Sequence, residues 1–391
     1  MRVFPLLVTL LLFNLFAELG SAAEVVKPPK SEVNRLGLDP FYQKYLGVQG
    51  FPVVSSGKVS DFALKEAGYL IERMLGERPD LLAAITRSGV RFVIMAPDEF
   101  TTMVPEHSHL SPSDFWDKRA RGLGSSPEHP AVSCGEENLL DYAGDPYAAE
   151  NILIHEFAHT IHQQGLVVVD PTFQKRLEST FAKAKLKGLW KGKYAGTNPS
   201  EYWAEAVQSW FDCNRENDHD HNHVNTREEL KAYDPDLAAL VTEVFGEPAW
   251  RYRKPKDRDE AGHLAGYDPG KAPVFSWPKR LVVAYEAIQK GDGLDRLPLL
   301  PLASLGKGEQ RSPRQSAGSG VSLRVDNRIG DSIRLFWIDF DGEKKEYGQA
   351  DPGRSWEQST FAGHLWLATD PKGKPLAFFA AGEKPGLAVI E

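Results

Sequence analysis

The stretch Asp145 to Gly165, D-P-Y-A-A-E-N-I-L-I-H-E-F-A-H-T-I-H-Q-Q-G, constrains this chain more than any other. It reads as one helix with both ends marked. Asp145 caps the first free N–H groups, Pro146 takes the first helical position, and Gly165 closes the last turn in the left-handed conformation. Inside lies H-E-x-x-H. His155 and His159 are four residues apart and project from one face, so both imidazoles reach a single metal ion. Glu156 stands about 100° round the helix from His155, within reach of a water at the metal without being a ligand. Leu153, Ile154, Phe157, Ala158 and Ile161 fill the opposite arc and predict a buried face.

A catalytic zinc needs three protein ligands and one open position. The extended metzincin motif H-E-x-x-H-x-x-G-x-x-H is excluded, because His162 stands at its glycine place and Gly165 at its last histidine place. His162 is two turns from His155 and reads as a helix-face histidine near the cleft. A glutamate from a second helix is the remaining solution. Tyr194 to Phe211, Y-A-G-T-N-P-S-E-Y-W-A-E-A-V-Q-S-W-F, offers such a helix, with Asn198 as cap and Pro199 at its first turn. Glu201 and Glu205 share one face, and Trp203, Val207, Trp210 and Phe211 supply apolar surface. By position either Glu201 or Glu205 fits.

Residues 1–23 read as a signal peptide. Arg2 gives a positive start, Leu6 to Phe16 is an apolar run too short to span a bilayer, and Ser21-Ala22-Ala23 offers small residues for cleavage. The expectation is an exported protein, secreted or periplasmic, monomeric and without a membrane span after cleavage. A net charge of −8 argues against a nucleic-acid or anionic-membrane partner. Cys134 and Cys213 are too few for a disulfide scaffold; in an exported chain one bridge between them is the expectation, with two separate buried thiols or a cysteine near the metal as the alternatives.

Residues 24–50 read as an irregular lead-in, followed by helices over 61–74 and 79–86 and a strand over 89–96. Residues 97–140 read as a long ordered loop lining a cleft. A lysine-rich helix is expected over 174–187. His219, His221 and His223 alternate with Asp and Asn in a polar loop, where local hydrogen bonding is the simpler reading and a second metal site the rarer one. The basic run Arg251 to Arg258 reads as a solvated face. Together these elements predict an α+β domain over 24–300, mainly helical with a small mixed sheet. Residues 301–320 have the Gly, Ser, Gln and charge content of a linker. Beyond them the apolar period becomes two, with strands expected over 321–328, 333–340, 356–361, 365–368 and 376–381. About 70 residues of this kind make a small all-β sandwich, residues 321–391.

Two resemblances follow from these motifs. H-E-F-A-H with Y-A-G-T-N-P-S-E-Y-W-A-E resembles the zincin-type metallopeptidase domain of anthrax lethal factor and its relatives, a branch of the gluzincins. The resemblance spans roughly residues 89–213 and implies Glu201 as third zinc ligand, Glu205 as the carboxylate supporting a zinc histidine, and Tyr194 as stabiliser of the oxyanion. The tail, with V-D-N-R, L-F-W-I-D-F-D-G-E and A-G-H-L-W-L, resembles the β-domain of the von Hippel–Lindau family. That family binds a hydroxyproline peptide, and the matching positions are Trp337, Tyr347, Thr360, His364 and Trp366, with Asn327 nearby. Thr360 stands where the family has serine and Phe361 where it has tyrosine, which leaves the specificity open.

The chemistry implied is peptide hydrolysis. Zinc draws the pKa of its water toward ~7, Glu156 takes the proton and returns it to the leaving amine, and zinc with Tyr194 stabilises the oxyanion. The expected function is an exported zinc endopeptidase acting on protein or peptide, with a β-domain that binds protein. The alternatives are an extracellular binding protein with a non-catalytic zinc, and a zinc hydrolase of non-peptide substrates. Glu156 together with Tyr194 favours catalysis, since a structural site needs neither.

Overall fold

The computed structural model describes residues 24–259, 261–291, 294–305, 310–313 and 320–391. The expected signal peptide lies outside the described residues. The chain folds as helices around one mixed sheet, followed by an antiparallel sheet and a second mixed sheet, in keeping with the α+β and all-β reading. Among the described residues no helix is long and apolar enough to cross a membrane.

The first sheet has the order β1 (Lys44–Val48), β2 (Phe51–Ser55), β3 (Arg91–Met95), β5 (Ala131–Gly135) and β4 (Gly122–Leu123). β2, β3 and β5 run parallel and are buried along their whole length, as strands covered on both faces must be. Alternation divides their side chains. Phe51, Val53, Phe92, Ile94, Val132 and Cys134 face the helices, while Val54, Val93, Met95 and Ala131 meet Leu36, Leu38 and Tyr42. β4 pairs antiparallel with β5 and forms the far edge.

Residues 24–50, expected to be irregular, contain β1 and half of a hairpin with β2. The turn is Gln49-Gly50, both at positive φ, the geometry of a tight hairpin turn. Residues 97–140, expected to be loop, hold the helix Ser113–Arg119 as well as β4 and β5.

The helix bearing H-E-x-x-H is shorter at its start than expected. It runs Ile152–Thr160, and its cap is Asn151, whose side chain accepts from the Ile154 amide at 2.9 Å. Asp145 instead caps a local turn through the Tyr147 amide. Asn138 explains the delay: its side-chain amide donates to the Tyr147 and Glu150 carbonyls and its oxygen accepts from the Ile152 amide, holding residues 147–150 out of the helix. Beyond Thr160 the backbone widens into a π-helical segment, Ile161–Leu166. Gly165 does not end the helix. A methyl group there would stand 3.2 Å from Ile85, so glycine lets the segment approach the helix Pro79–Arg87.

The cysteine expectation is overturned. Cys134 and Cys213 are free and buried: Cys134 sits in β5 under the helices, and Cys213 directs its thiol to the Gln208 carbonyl. The basic run is a solvated face only in part: Arg253 and Lys256 are exposed, in ion pairs with Asp259 and Asp141, but its other cations are engaged deeper. Arg258 grips Glu66, which is fully buried in the helix Asp61–Leu75, with both guanidinium arms at 2.5 and 2.7 Å, and His263 joins at 2.7 Å. Lys254 reaches Asp141 and Arg251 reaches Asp212.

The C-terminal sheets have the orders β10 (Lys344–Ala350), β9 (Ile333–Ile338), β12 (Leu365–Thr369), β13 (Pro375–Ala380), β7 (Leu299–Leu300), and β11 (Ser355–Phe361), β8 (Gly320–Asn327), β14 (Gly386–Ile390), β6 (Asp295–Arg296). Val321, Leu323, Val325, Leu335, Trp366 and Phe379 fill the space between them. β10 and β14 were not expected. The β-unit also begins before residue 301, since β6 pairs with β14 and β7 with β13. Ser312, inside the expected linker, is buried and accepts from the Leu365 amide at 3.0 Å.

Candidate metal centre

The motif helix lies on the sheet through Phe157, which packs against Phe51 and Phe92 at 5.4 and 6.3 Å. That contact turns His155, Glu156 and His159 away from the sheet. The helix Pro199–Trp210 crosses it, fixed where Trp203 Nε1 donates to the Ala158 carbonyl at 3.0 Å, and this brings Glu201 over the histidines. Asn198 caps this second helix through the amides of Ser200 and Glu201.

His155, His159 and Glu201 form the one group of this kind, among the described residues, that can hold a metal ion. His155 Nε2 and His159 Nε2 are 3.2 Å apart, and each is 3.3 Å from Glu201 Oε2. Tetrahedral zinc with bonds of ~2.0–2.1 Å has ligand–ligand edges of about 3.3–3.4 Å, so three corners of that tetrahedron are present. The protonation pattern agrees. His155 Nδ1 lies 2.7 Å from Gln208 Oε1, and the Gln208 amide is oriented by donating to Glu150 Oε2 and the Asn151 carbonyl. Gln208 Oε1 is therefore an acceptor, His155 carries its proton on Nδ1, and Nε2 presents a lone pair. His159 Nδ1 lies 2.9 Å from Ser200 Oγ, leaving its Nε2 for the same point. Glu201 Oε2 is buried without a hydrogen-bond partner. Three lone pairs meeting in a buried space call for a cation.

The surrounding carboxylates favour positive charge at this point, a proton on His155 where no metal displaces it. Burial opposes charge on His155, but the Glu201 contact and the charges of Glu156, Glu201 and Glu205 outweigh it and hold its pKa well above that of free imidazole. Burial likewise opposes charge on Glu201, yet His159 and His155 hold it far below the usual carboxylate range.

Glu156 is half-buried beside this triangle, and burial raises its pKa above the ordinary carboxylate value. β4 passes close over it. A methyl group on Gly122 would stand 2.4 Å from Ile152 and 3.1 Å from Glu156, so only glycine allows the strand to lie so near the helix. Tyr194 begins a short turn ahead of the second helix, with its ring 6.4 Å from that of His155. It is 39 % exposed, and the Glu201 charge first, then burial, push its phenol well above its usual pKa. The phenol therefore stays protonated at neutral pH.

Glu205 is placed differently from the expectation. Its Oε1 is 3.6 Å from His155 Nδ1, beyond hydrogen-bond range, and Gln208 occupies that role. Glu205 Oε2 instead meets His221 Nε2 at 3.2 Å and Asn214 Nδ2 at 2.9 Å, and His221 Nδ1 meets Asp218 at 2.9 Å. The same loop receives the Tyr194 amide on the Asp220 carbonyl at 2.7 Å. His219 is exposed beside Asp220, and His223 packs edge-on to Tyr233. His162 pairs with Gln174 at 2.7 Å, away from the triangle. Gln208 was missed because glutamine mid-helix carries no metal-site signature. Its spacing of seven from Glu201, two helical turns on the same face, was the available signal.

In the sandwich, Tyr347 stands 5.3 Å from Trp366 and 6.0 Å from Trp337, and Trp337 stacks on His364 at 5.2 Å. Thr360 Oγ1 accepts from Trp366 Nε1 at 3.1 Å and lies 3.3 Å from His364 Nδ1. These five sequence-predicted residues are thus brought together. Asn327 is buried and ties the Asp331 and Ala350 carbonyls together instead.

Residues 319–377 match the family model described as VHL beta domain, so the C-terminal part is similar to that family. Among solved structures, the chain is similar to the PRO-PRO endopeptidase (PPEP-2) from Paenibacillus alvei. The identity is 17 % and the TM-score 0.30, over 51 % of this chain and 99 % of that one. No curated protein matches the chain.

Proposed function

We propose that this chain is an exported zinc-dependent endopeptidase of the gluzincin kind, with His155, His159 and Glu201 as ligands. The observation that carries the reading is the triangle of three converging lone pairs with edges of 3.2–3.3 Å. Zinc held there supplies Lewis acidity that lets a water ionise near pH ~7. Glu156, half-buried beside the triangle, would accept a proton from the attacking water and return it to the leaving amine. The protonated Tyr194 hydroxyl donates to the oxygen on which charge develops. Gln208 holds the His155 tautomer.

Peptide, among zinc-hydrolase substrates, is favoured by β4. This edge strand borders Glu156 and uses only one side for its ladder to β5, which suits an extended peptide added as a further strand. The reading is tested with the chain lacking residues 1–23 on casein-derived peptides. Cleavage is expected to stop with a chelator and return with zinc. Glu156→Gln is expected to bind zinc fully and cleave nothing; an active Glu156→Gln protein sinks the assignment. Glu201→Ala is expected to lose zinc.

A further inference from the structure

The β-sandwich is tied to the helical domain at two points. On one side Glu346 of β10 meets Lys185 Nζ at 3.1 Å, at the end of the helix Phe173–Leu186. That helix packs through Phe181 on Tyr202, the neighbour of Glu201, at 5.2 Å. On the other side Glu357 of β11 accepts from Gln289 Nε2 at 2.5 Å, and Arg324 of β8 donates to the Gln289 carbonyl. Gln289 ends the helix Lys279–Gln289, whose Tyr285 stacks at 5.4 Å on Phe115 of the helix leading into β4. The two anchors thus stand on helices that pack against the site's own elements, one against the helix bearing Glu201 and one against the helix that leads into the edge strand.

Tyr347 follows Glu346 directly, between those anchors. It is half-buried, and burial first, then the charge of Glu201, raise its phenol. The same ring packs with Trp366 and Trp337. We infer that the aromatic cluster and the metal triad are two parts of one cleft, occupied by a single extended peptide with its reacting bond at the triad. This inference rests on the peptidase reading.

The cluster's chemistry limits what it takes. None of its five side chains carries a charge at neutral pH, since burial lowers His364 to about 4. Trp337 Nε1 is buried without a partner. The residue held there is compact and apolar, with an acceptor oxygen on it or beside it to receive that N–H.

The test uses the full mature chain and a random peptide library, from which a cleaved sequence is chosen for kinetics. Tyr347→Ala, and Trp337→Phe, which keeps a ring but removes the donor, are expected to raise KM at least tenfold with zinc content unchanged. Parent-like KM in both overturns the shared cleft and leaves the peptidase standing. A parent chain that cleaves nothing overturns both readings. The second arm joins K185C and E346C with a short bismaleimide, the native thiols being buried. Retained turnover is expected. Turnover lost only on bridging would make the sandwich a lid and overturn the inference.

Discussion

Replacing Gln208 by leucine tests the metal centre at its least obvious member. Gln208 Oε1 is 2.7 Å from His155 Nδ1. After the change, the Asn151 carbonyl keeps the His155 amide at 3.3 Å and Glu150 keeps Arg215 at 2.9 Å, so the group left stranded is His155 Nδ1–H. Glu205 is held from taking over by Asn214 and His221 on its other oxygen. Without zinc the ring escapes by giving up its Nδ1 proton and keeping the one on Nε2. Zinc needs the Nε2 lone pair, so the cost falls on the zinc-bound state. A stranded buried donor costs about 1–3 kcal/mol. Removing a hydrogen-bond partner of a metal histidine weakens affinity about 10–100-fold, roughly 1.4–2.7 kcal/mol, so the two estimates agree. Competition with a chromophoric chelator reads the affinity directly. Zinc affinity within twofold of the parent would refute the argument, as would a larger loss in Glu205→Gln than in Gln208→Leu.

Other outcomes are expected. Tyr194→Phe should lower kcat by about 10²–10³ at constant zinc content, the scale of one lost oxyanion donor, and parent-like kcat would remove Tyr194 from the chemistry. Glu136 is buried, with Oε2 accepting from the Ser60 amide at 2.7 Å, and burial pushes its pKa from 4.5 up to about 7. The fold then binds more protons than the unfolded chain between those values, so stability falls as pH rises from 4.5 to about 7 and is level above. The fall amounts to about 3 kcal/mol. Urea unfolding at pH 5 and pH 8 should show Glu136→Gln with that difference removed, and identical slopes would count against it. Arg258→Met leaves Glu66 buried with His263 alone and should cost up to about 3–5 kcal/mol in urea unfolding. Adding Glu66→Leu should recover most of it.

The two histidine ligands were legible because metal chemistry fixes their residue type at a short spacing. His155 and His159 share a helical face in any four-residue turn, whereas Trp337, Tyr347, Thr360, His364 and Trp366 were found through the resemblance to the von Hippel–Lindau β-domain and not through strand period. What escaped was set by distant contacts. Asn138 delays the motif helix from fourteen residues upstream, and no local signal outranks Asp145-Pro146 as a start. β10, K-K-E-Y-G-Q-A, is polar where it leaves the sandwich and lacks the apolar alternation that marks its neighbours. The cysteine pairing failed for a related reason, since a thiol buried in a strand and another bonded to a carbonyl look alike in sequence. The basic run was misread at Arg258, because its partner, Glu66, stands 192 residues away.

β6 and β7 carry a consequence for how the chain unfolds. These four residues belong to the segment leaving the last helix, yet one pair lengthens each sheet of the sandwich. Pulling the two halves of the chain apart therefore strips an edge from both sheets before any connector is stretched. A fragment beginning at residue 321 would expose those edges of β13 and β14 to pairing with other chains. The halves should melt together, and the sandwich expressed by itself should associate unless it begins upstream of Asp295.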